Sequence, residues 1–341
     1  MKPVVCSLFP ALLSRIDAVD QDFWALLIAG SRGVENYRHQ ADVCHTYNLF
    51  SSGGFNMSNV VVMMYDDVAW SSMNPLIGRL FNEPNGPNVY DTCRVDISGE
   101  GVNAQSFTNV LTGSNDKALR GGSLQRILSR ENSTVFISFV DHGEPGRLLF
   151  PTSPEGLTGA ALLTTVDKMT FKKLVIYVEA CFSGSVLESL PTPLPKNVIA
   201  VTASNATESS WGTYCPTPKH PDADAINGVH IGTCLGDLFE VTWKRDLEAR
   251  LASGSFSQST LGDHIEAVRT LVSRKSNVMV YGDTDMLTLP LSEIFPLTPF
   301  SQRNGVPSWE VIVESAQIQP PKRRWSPQPW QNGIDHTLIA T

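Results

Sequence analysis

Six short runs of apolar, mostly β-branched residues recur along the chain, separated by segments with helical spacing. Such runs are typical of buried strands. Strands that alternate with helices pair in parallel through right-handed crossovers, so the pattern predicts an α/β fold with helices on both faces of the sheet. The predicted strands are 24–29, 60–65, 135–140, 174–178, 198–202 and 278–281, and the predicted helices are 37–50, 105–111, 123–128, 160–171, 235–251 and 261–272.

The chain changes character at about Pro290, after which proline steps accumulate and periodic hydrophobicity fades. That composition is typical of a linker or a loosely docked arm. The preceding residues supply an ordinary globular core, since the whole chain is 42% hydrophobic and 18% charged. We therefore expect an N-terminal signal or propeptide segment at 1–22, one domain at 23–289 and a Pro-rich tail, either a reduced propeptide or a linker, at 290–341.

Charge and hydropathy exclude several classes of protein. The net charge is −8, and the one basic cluster, at 322–324, is too short for a nucleic-acid interface. No run of 18 apolar residues occurs, so we expect no transmembrane anchor. Six cysteines are too few for a scaffold built on disulfides, although they permit one or two bridges.

Two features bear on the secretory route. The apolar stretch 3–13 after Lys2 resembles a short signal peptide, although Pro10 interrupts it. Three sequons would permit glycosylation in that route, at Asn56, Asn132 and Asn205.

Polar clusters follow three of the predicted strands. His142 follows the strand that ends at Val140, Cys181 follows the strand that ends at Val178, and Ser204 follows the next strand. The carboxyl ends of parallel strands meet at one edge of a sheet, where ligands bind. A thiolate is the reactive form of cysteine, and a neighbouring imidazole can accept its proton, so this pair suffices for acyl transfer.

Simpler interpretations of these two residues stay open. A lone cysteine after an apolar strand is usually a small core residue, and a loop histidine usually caps or hydrogen-bonds. Metal binding is disfavoured because no C-x-x-C or H-x-x-x-H spacing occurs, and we expect no metal and no cofactor. His220 and His230 are expected to be solvated loop residues.

Several ordered blocks make the chain resemble the legumain family, the asparaginyl endopeptidases also called vacuolar processing enzymes. The resemblance implies a caspase-like three-layer sandwich with a mostly parallel six-stranded sheet. The catalytic subunit of glycosylphosphatidylinositol transamidase has a similar Cys and His, but lacks the block at 208–216. The matching blocks are A-G-S-R-G at 29–33, N-Y-R-H-Q-A-D at 36–42, V-V-M-M-Y-D-D at 61–67, D-H-G at 141–143, E-A-C-F-S-G-S at 179–185, E-S-S-W-G-T-Y-C-P at 208–216 and C-L-G-D-L at 234–238.

The resemblance implies a role for each residue of the catalytic centre. Cys181 is the nucleophile, His142 the base and Asn36 the residue that orients the imidazole. The backbone N–H groups of Gly143 and Cys181 are the oxyanion donors. Asn36 could instead be a helix N-cap ahead of Tyr37.

The resemblance also implies a pocket for an asparagine carboxamide, which needs both donors and acceptors. Arg38 would donate to the carboxamide oxygen, and Glu179 and Asp237 would accept from its nitrogen. Read without the family, Arg38 could pair with Asp42 on the surface, Asp237 could lie near a helix dipole, and Glu179 could be an edge carboxylate. The substrate-binding set is Arg38, Glu179, Ser209, Ser210, Trp211 and Asp237.

A polar insert with three prolines at 216–233 borders this pocket and looks longer than the usual loop of the family. Plant-like members suggest a disulfide between Cys215 and Cys234, worth about 3 kcal/mol by chain entropy, although two thiols are the alternative. Some relatives ligate peptides, and Gly212 beside Trp211 resembles the hydrolase variant.

Family enzymes usually carry a helical C-terminal prodomain, whereas only a short Pro-rich tail follows this core. Activation by self-cleavage is a hypothesis, and mapping the termini of the protein and of a Cys181→Ala variant after acid incubation tests it. The resemblance further implies a lysosomal, vacuolar or secreted location and cystatin-type inhibitors as partners. The candidate cleavage positions are Asn304, Asn332, Asp17, Asp20 and Asp22.

The sequence therefore predicts a cysteine endopeptidase that cleaves after Asn, and after Asp at acid pH, in protein or peptide substrates. Two alternatives stay open. One is a transpeptidase or ligase of the same clan, including a transamidase-like role, and the other is a non-catalytic peptide-binding module.

Overall fold

A six-stranded sheet forms the centre of the fold in a computed structural model that describes residues 22–114 and 126–298. Its strand order is β13-β8-β7-β3-β1-β2. All neighbours pair in parallel except β13, which runs antiparallel to β8 at one edge. The strands are β1 Phe23–Ala29, β2 Val60–Met63, β3 Thr134–Val140, β7 Lys173–Glu179, β8 Val198–Thr202 and β13 Met279–Gly282.

Helices cover both faces of this sheet, as the alternation of apolar runs predicts. Helices α1, α5 and α6 pack in one apolar core, and α2, α3 and α4 pack in the other. The helices are α1 Tyr37–Ser52, α2 Ala104–Leu111, α3 Gly159–Val166, α4 Ser183–Glu188, α5 Leu238–Ser253, α6 Leu261–Val272 and α7 Leu291–Ile294.

Two apolar cores result, because successive residues of a strand point to opposite faces. Leu27 and Phe136 lie in the core under α1 and α5, whereas Leu26 and Ile137 lie in the core under α2 and α3. Every residue of β3 is buried, which explains why this run shows no alternation of polar and apolar residues.

Three small sheets complete the fold. A three-stranded antiparallel sheet follows β3, and two hairpin-like pairs lie between β8 and α5. Their strands are β4 Gly143–Glu144, β5 Arg147–Phe150, β6 Ser153–Thr158, β9 Gly212–Thr213, β10 Ala225–Ile226, β11 Val229–His230 and β12 Gly236–Asp237.

Several predicted boundaries are wrong. Residues 126–128 form no helix, and the predicted start at Ser123 lies outside the described residues. Helix α3 ends at Val166 rather than Phe171, and α5 starts at Leu238 because the three preceding residues include β12. The predicted tail begins too early, since Leu291, Ile294 and Phe295 are fully buried in the core.

The order of the strands indicates where a ligand-binding crevice lies. The chain goes from β1 outward to β2, then returns to β3 on the other side of β1. The order of strands therefore reverses between β1 and β3, and ligands of open α/β sheets bind outside the carboxyl ends of strands at such a point.

Candidate active site

Asn36, His142 and Cys181 follow β1, β3 and β7, three adjacent strands of the sheet. The strand ends stay in register, because Gly30 N donates to Val140 O and Asp141 N donates to Glu179 O. The segments that carry the three residues therefore leave the sheet side by side at its carboxyl edge.

The Asn36 side chain orients the His142 imidazole. Its Nδ2 donates to Arg32 O at 2.8 Å, which directs Oδ1 toward His142 Nε2 at 2.7 Å. Since Oδ1 accepts only, Nε2 carries the proton and Nδ1 is left as the basic nitrogen. Asn36 sits at the N-cap position of α1, but its side chain makes no capping bond, so the capping interpretation is wrong.

Cys181 lies at a tight turn between β7 and α4. It is buried, and among the described cysteines it is the one outside a disulfide. Its Sγ lies 3.8 Å from Ser210 O. Phe182, the next residue, adopts φ 55°, a left-handed conformation that is costly for a bulky side chain and lets the chain reverse directly into α4.

Gly143 touches the Cys181 backbone. A Cβ at Gly143 would lie 1.7 Å from Cys181 O and 2.9 Å from Cys181 N, so only glycine fits. The segment after His142 is thereby held against the residue that carries the thiol.

Burial and charge favour the neutral form of the His142 imidazole. The pKa of His142 is lowered, first by desolvation and then by the Arg38 guanidinium, while Glu35 opposes the shift. A neutral imidazole is the form that can accept a thiol proton.

The predicted pocket residues also meet, beside the catalytic histidine. Arg38 Nε donates to Asp237 Oδ1 at 2.8 Å, and both side chains are buried. Glu179 is fully buried, and its pKa is raised first by desolvation and then by the charge of Asp237. The surface pair of Arg38 with Asp42 and the edge position for Glu179 are wrong. Asp237 does lie at the N-terminus of α5, near its dipole, although its side chain makes no capping bond.

Acceptor atoms in this pocket lack hydrogen bonds. Both Glu179 carboxylate oxygens and Asp237 Oδ2 are buried and accept no hydrogen bond within normal geometry from the described residues. The Ser210 hydroxyl lowers the Glu179 pKa somewhat, although the oxygens stay outside normal hydrogen-bond geometry. Buried acceptors of this kind are costly unless something occupies the site. A donor such as a carboxamide NH₂ would satisfy them.

Burial raises the pKa of both Glu179 and Asp237 well above the ordinary range. Desolvation is the largest cause for each, and repulsion between neighbouring carboxylates adds to it. Arg38 opposes the shift at Asp237.

His39 was missed by the sequence interpretation. It is fully buried, its Nδ1 lies 2.6 Å from Ser31 Oγ, and its Nε2 lies 3.6 Å from Asp237 Oδ2. Its ring meets that of His142 edge to face, with centroids 5.1 Å apart. The position after Arg38 on α1 is a weak signal, because nothing in the sequence indicates that this helix is buried on almost every side.

Ser209 and Trp211 flank Ser210 in the chain. Trp211 Nε1 donates to Lys275 O at 3.1 Å, and the Lys275 ammonium lies 5.5 Å from the indole centroid. Ser209 is half-buried beside Ser210. β9 and β12 pair, so Asp237 lies opposite Gly212.

Two disulfides occur among the described cysteines. Cys215–Cys234 closes the insert, as the resemblance implies, and Cys44–Cys93 was not predicted. Within the insert, β10 and β11 form a hairpin through Asn227 and Gly228, which both have positive φ, as a two-residue turn requires.

The other sequence-predicted residues are dispersed over the surface. Asn56 and Asn132 are exposed and Asn205 is half-buried. His230 lies 3.0 Å from Asp224, and no group able to hold a metal occurs within the described ranges.

Asp22 accepts hydrogen bonds from Trp24 and Ser133, a placement that disfavours trimming there. The cleavage positions Asp17, Asp20, Asn304 and Asn332 lie outside the described residues.

Comparisons with known proteins agree on one family. The sequence model of the peptidase C13 family matches residues 23–303. The vacuolar-processing enzyme delta-isozyme of Arabidopsis thaliana is 40% identical over 285 residues, covering 81% of this chain and 58% of that protein. Legumain of Canavalia ensiformis is 40% identical over 272 residues, covering 77% and 55%. The chain thus spans somewhat more than half the length of these relatives.

A solved structure shows a distant likeness in shape. The crystal structure of caspase-1 from Spodoptera frugiperda aligns with a TM-score of 0.44 and 10% identity, covering 79% of this chain and 88% of that one. The α/β architecture is shown by the sheet topology and not by this alignment.

Proposed function

The chain belongs to the peptidase C13 family, and from that premise we propose that it is a cysteine endopeptidase that hydrolyses peptide bonds on the carboxyl side of Asn. One observation carries the proposal. A histidine oriented by Asn36 follows the strand next to that of Cys181, and a buried pocket of both charges adjoins it.

The first half of the reaction forms a thioester. His142 Nδ1 takes the Cys181 thiol proton, and the sulfur attacks the carbonyl carbon of the substrate. The C=O electron pair moves to oxygen, where the N–H groups of Gly143 and Cys181 would donate to it. Collapse of this intermediate breaks the C–N bond, and the leaving amine takes the proton from His142.

The second half restores the enzyme. Water loses a proton to His142 Nδ1 and attacks the thioester carbon. The C–S bond then breaks, the carboxylic acid product leaves, and the thiolate regains the proton. An amine in place of water would give ligation by the same steps.

The charges of the pocket support a preference for Asn. Arg38 donates to the carboxamide oxygen, and the unsatisfied oxygens of Glu179 and Asp237 accept from its NH₂ group. An ionised Asp side chain meets two carboxyls at the position of that NH₂ group. Leaving such polar groups unpaired costs several kcal/mol, or a discrimination of roughly 10²-fold or more. Asp is accepted only at acid pH, where the substrate carboxyl is protonated.

Four matched peptides test this proposal, with Asn, Asp, Gln or Ala before the scissile bond, assayed from about pH 4 to pH 7 with a Cys181→Ala control. Hydrolysis of the Asn peptide across the range, with Asp cleaved only at the acid end, supports it. Equal rates on Asn and Asp at neutral pH contradict the specificity, and no hydrolysis at any pH favours a peptide-binding module. An arm with an added amine measures ligation.

We also propose that the protein works in a vacuole or lysosome reached by the secretory route. Two disulfides support an oxidising compartment, since such bridges are rare in the cytosol. Exposed sequons at Asn56 and Asn132 fit the same route. Treatment of the natural protein with an endoglycosidase should increase its gel mobility, and an unchanged mobility would count against glycosylation there. In residues 22–114 and 126–298, we find no helix with the length and hydropathy of a membrane span.

A further inference from the structure

A fully buried lysine lies behind the substrate pocket, between α1 and α5. Lys244 Nζ donates to Asp42 O at 2.9 Å, to Asp42 Oδ1 at 3.1 Å and to Glu240 Oε2 at 3.3 Å. All three side chains have no exposed surface. Lysine is almost never fully buried unless it is paired, and this one has two carboxylate partners.

Asp42 connects this lysine to the pocket. Its Oδ2 accepts from the backbone N–H of Asp237 at 3.0 Å, while Asp237 Oδ1 accepts from Arg38 at 2.8 Å. Asp42 Oδ1 also accepts from Asn82. Lys244 thus fixes the carboxylate that holds the backbone of a pocket residue, although it touches neither Arg38 nor Asp237 through any contact described.

The buried groups carry more negative than positive charge. Four of the carboxyls have no exposed surface, namely those of Asp42, Glu179, Asp237 and Glu240, and the cations Arg38 and Lys244 pair with three of them, so each cation affects the ionisation of its neighbours. The titratable and charged groups on the packed elements are Arg38, His39, Asp42 and His45 on α1, Glu179 on β7, Asp237 on β12, and Glu240, Lys244 and Glu248 on α5.

We propose that Lys244 is a positioning residue that holds Asp237 through Asp42 and sets the pH range over which the pocket prefers Asn to Asp. This inference rests on the proposed function. It adds Lys244, which lies on α5 7 positions after Asp237, to the residues that determine specificity.

The electrostatics agree with this geometry. Beyond desolvation, which is the largest cause, the Asp42 charge raises the pKa of both Glu179 and Asp237, and the Glu240 charge adds to the rise at Glu179. Burial raises the pKa of Glu240 to about 6, and Lys244 limits that rise. Without the lysine, the pocket carboxyls would ionise only at higher pH, and a protonated pocket accepts a carboxamide NH₂ less well.

The test compares Lys244→Met with the parent on matched Asn and Asp peptides between about pH 4 and pH 8. Methionine keeps the apolar stem of the lysine and removes its charge. We expect the acid limb of kcat/KM for Asn to move up by about one pH unit, so the Asn-to-Asp ratio at a fixed pH within that limb falls about tenfold.

Glu240→Gln should have the opposite effect. It keeps the side-chain length and removes the charge that Glu240 carries above its pKa of about 6, so the part of the limb above that pH should move to lower pH and the Asn-to-Asp ratio there should rise. Combining Glu240→Gln with Lys244→Met should return the profile toward that of the parent. A merely structural role for Lys244 would reduce both substrates equally and would not give shifts of opposite sign.

Lys173→Met is the matched control. Lys173 also pairs with a carboxylate, Glu293, at 2.7 Å, but it lies at the opposite end of β7 from Glu179. This variant should leave the Asn-to-Asp ratio unchanged. The rate at which iodoacetamide alkylates Cys181 reports on the catalytic pair without involving the pocket.

The outcomes separate the two claims. If the parent does not cleave the Asn peptide, the proposed function fails. If the parent cleaves it but the pH limbs of Lys244→Met and Glu240→Gln coincide with that of the parent, this inference alone is overturned. If Lys244→Met does not fold, Glu240→Gln decides the matter by the direction of its shift.

Discussion

At the scale of single residues, two asparagines at helix starts behave differently. Asn103 caps α2 by accepting from Ser106 N, whereas Asn36 directs its oxygen to His142. Residue type and position relative to the helix are the same, so the local sequence could not distinguish them. What differs is a histidine 106 residues away, which only the fold brings close.

Asn36→Ala should lower kcat by roughly 10- to 100-fold and leave KM and stability almost unchanged. The imidazole loses its orienting acceptor, but no capping bond is lost. Asn103→Ala is the control and should cost about 1 kcal/mol of stability without a change in kcat. Steady-state kinetics and thermal unfolding of both variants check this. A large loss of stability in Asn36→Ala with full kcat would contradict the role proposed for Asn36.

The placement of His142 and Cys181 at one edge of the sheet was predictable from the sequence, because strands predict where their carboxyl ends lie. The buried residues that support the pocket, Asp42 and Lys244, were not predictable in this way. Asp42 and Lys244 are 202 residues apart, and neither α1 nor α5 shows in its sequence that its polar residues are buried. Charged residues on a helix are normally expected to face solvent, and only the packing of the two helices shows that these are buried.

At the scale of elements, the short β9–β12 strand pair contributes one side of the pocket. Asp237 lies in β12, and the Cys215–Cys234 disulfide joins the segments that follow β9 and precede β12. Two residues per strand give little pairing energy, so the disulfide is expected to hold this element in place. The Cys44–Cys93 disulfide joins α1 to the loop after β2, away from this pair.

Replacing Cys215 and Cys234 together by Ser should lower stability by about 3 kcal/mol and raise KM for the Asn peptide. Replacing Cys44 and Cys93 by Ser should cost about 4 kcal/mol, since the closed loop is longer, and should change KM less. Unfolding by urea and steady-state kinetics measure both effects. Equal KM values for the two double variants would show that the β9–β12 disulfide does not support the pocket.

The long apolar strands were predicted from the sequence, and the smallest elements were not. The sheet β4–β6 was not predicted, because glycine and proline in a sequence indicate turns. Gly146 lies between β4 and β5, and Pro154 and Gly156 lie within β6. The antiparallel direction of β13 is also invisible in its sequence. It is set by the path of the chain after α6.

At the scale of the whole molecule, the fold buries ionisable groups whose pKa values move in both directions. Burial raises the pKa of Asp141, Glu179 and Asp237, and lowers that of His39 and His142. A carboxyl whose pKa is raised in the folded state stabilises the fold at low pH, and that stability is lost as pH rises through the raised value. A histidine whose pKa is lowered has the reverse effect as pH falls below about 6.5.

The protein should therefore be most stable at mildly acid pH. We expect the melting temperature at about pH 6 to exceed that at about pH 8 by several degrees, which corresponds to a difference of roughly 1 to 2 kcal/mol. Glu179→Gln, which removes one of the raised carboxyls, should flatten the decline above pH 6. Thermal unfolding in a series of buffers measures both curves. A parent more stable at pH 8 than at pH 6 would contradict the raised pKa of these buried carboxyls.

The most direct test of the central claim is to sequence the peptides that the protein produces from a complex mixture of peptides. The protein should generate new C-termini that are predominantly Asn, with Asp appearing only below about pH 5, and the Cys181→Ala variant should generate none. New termini without enrichment of Asn, or the same termini from the variant, would contradict an Asn-specific cysteine endopeptidase.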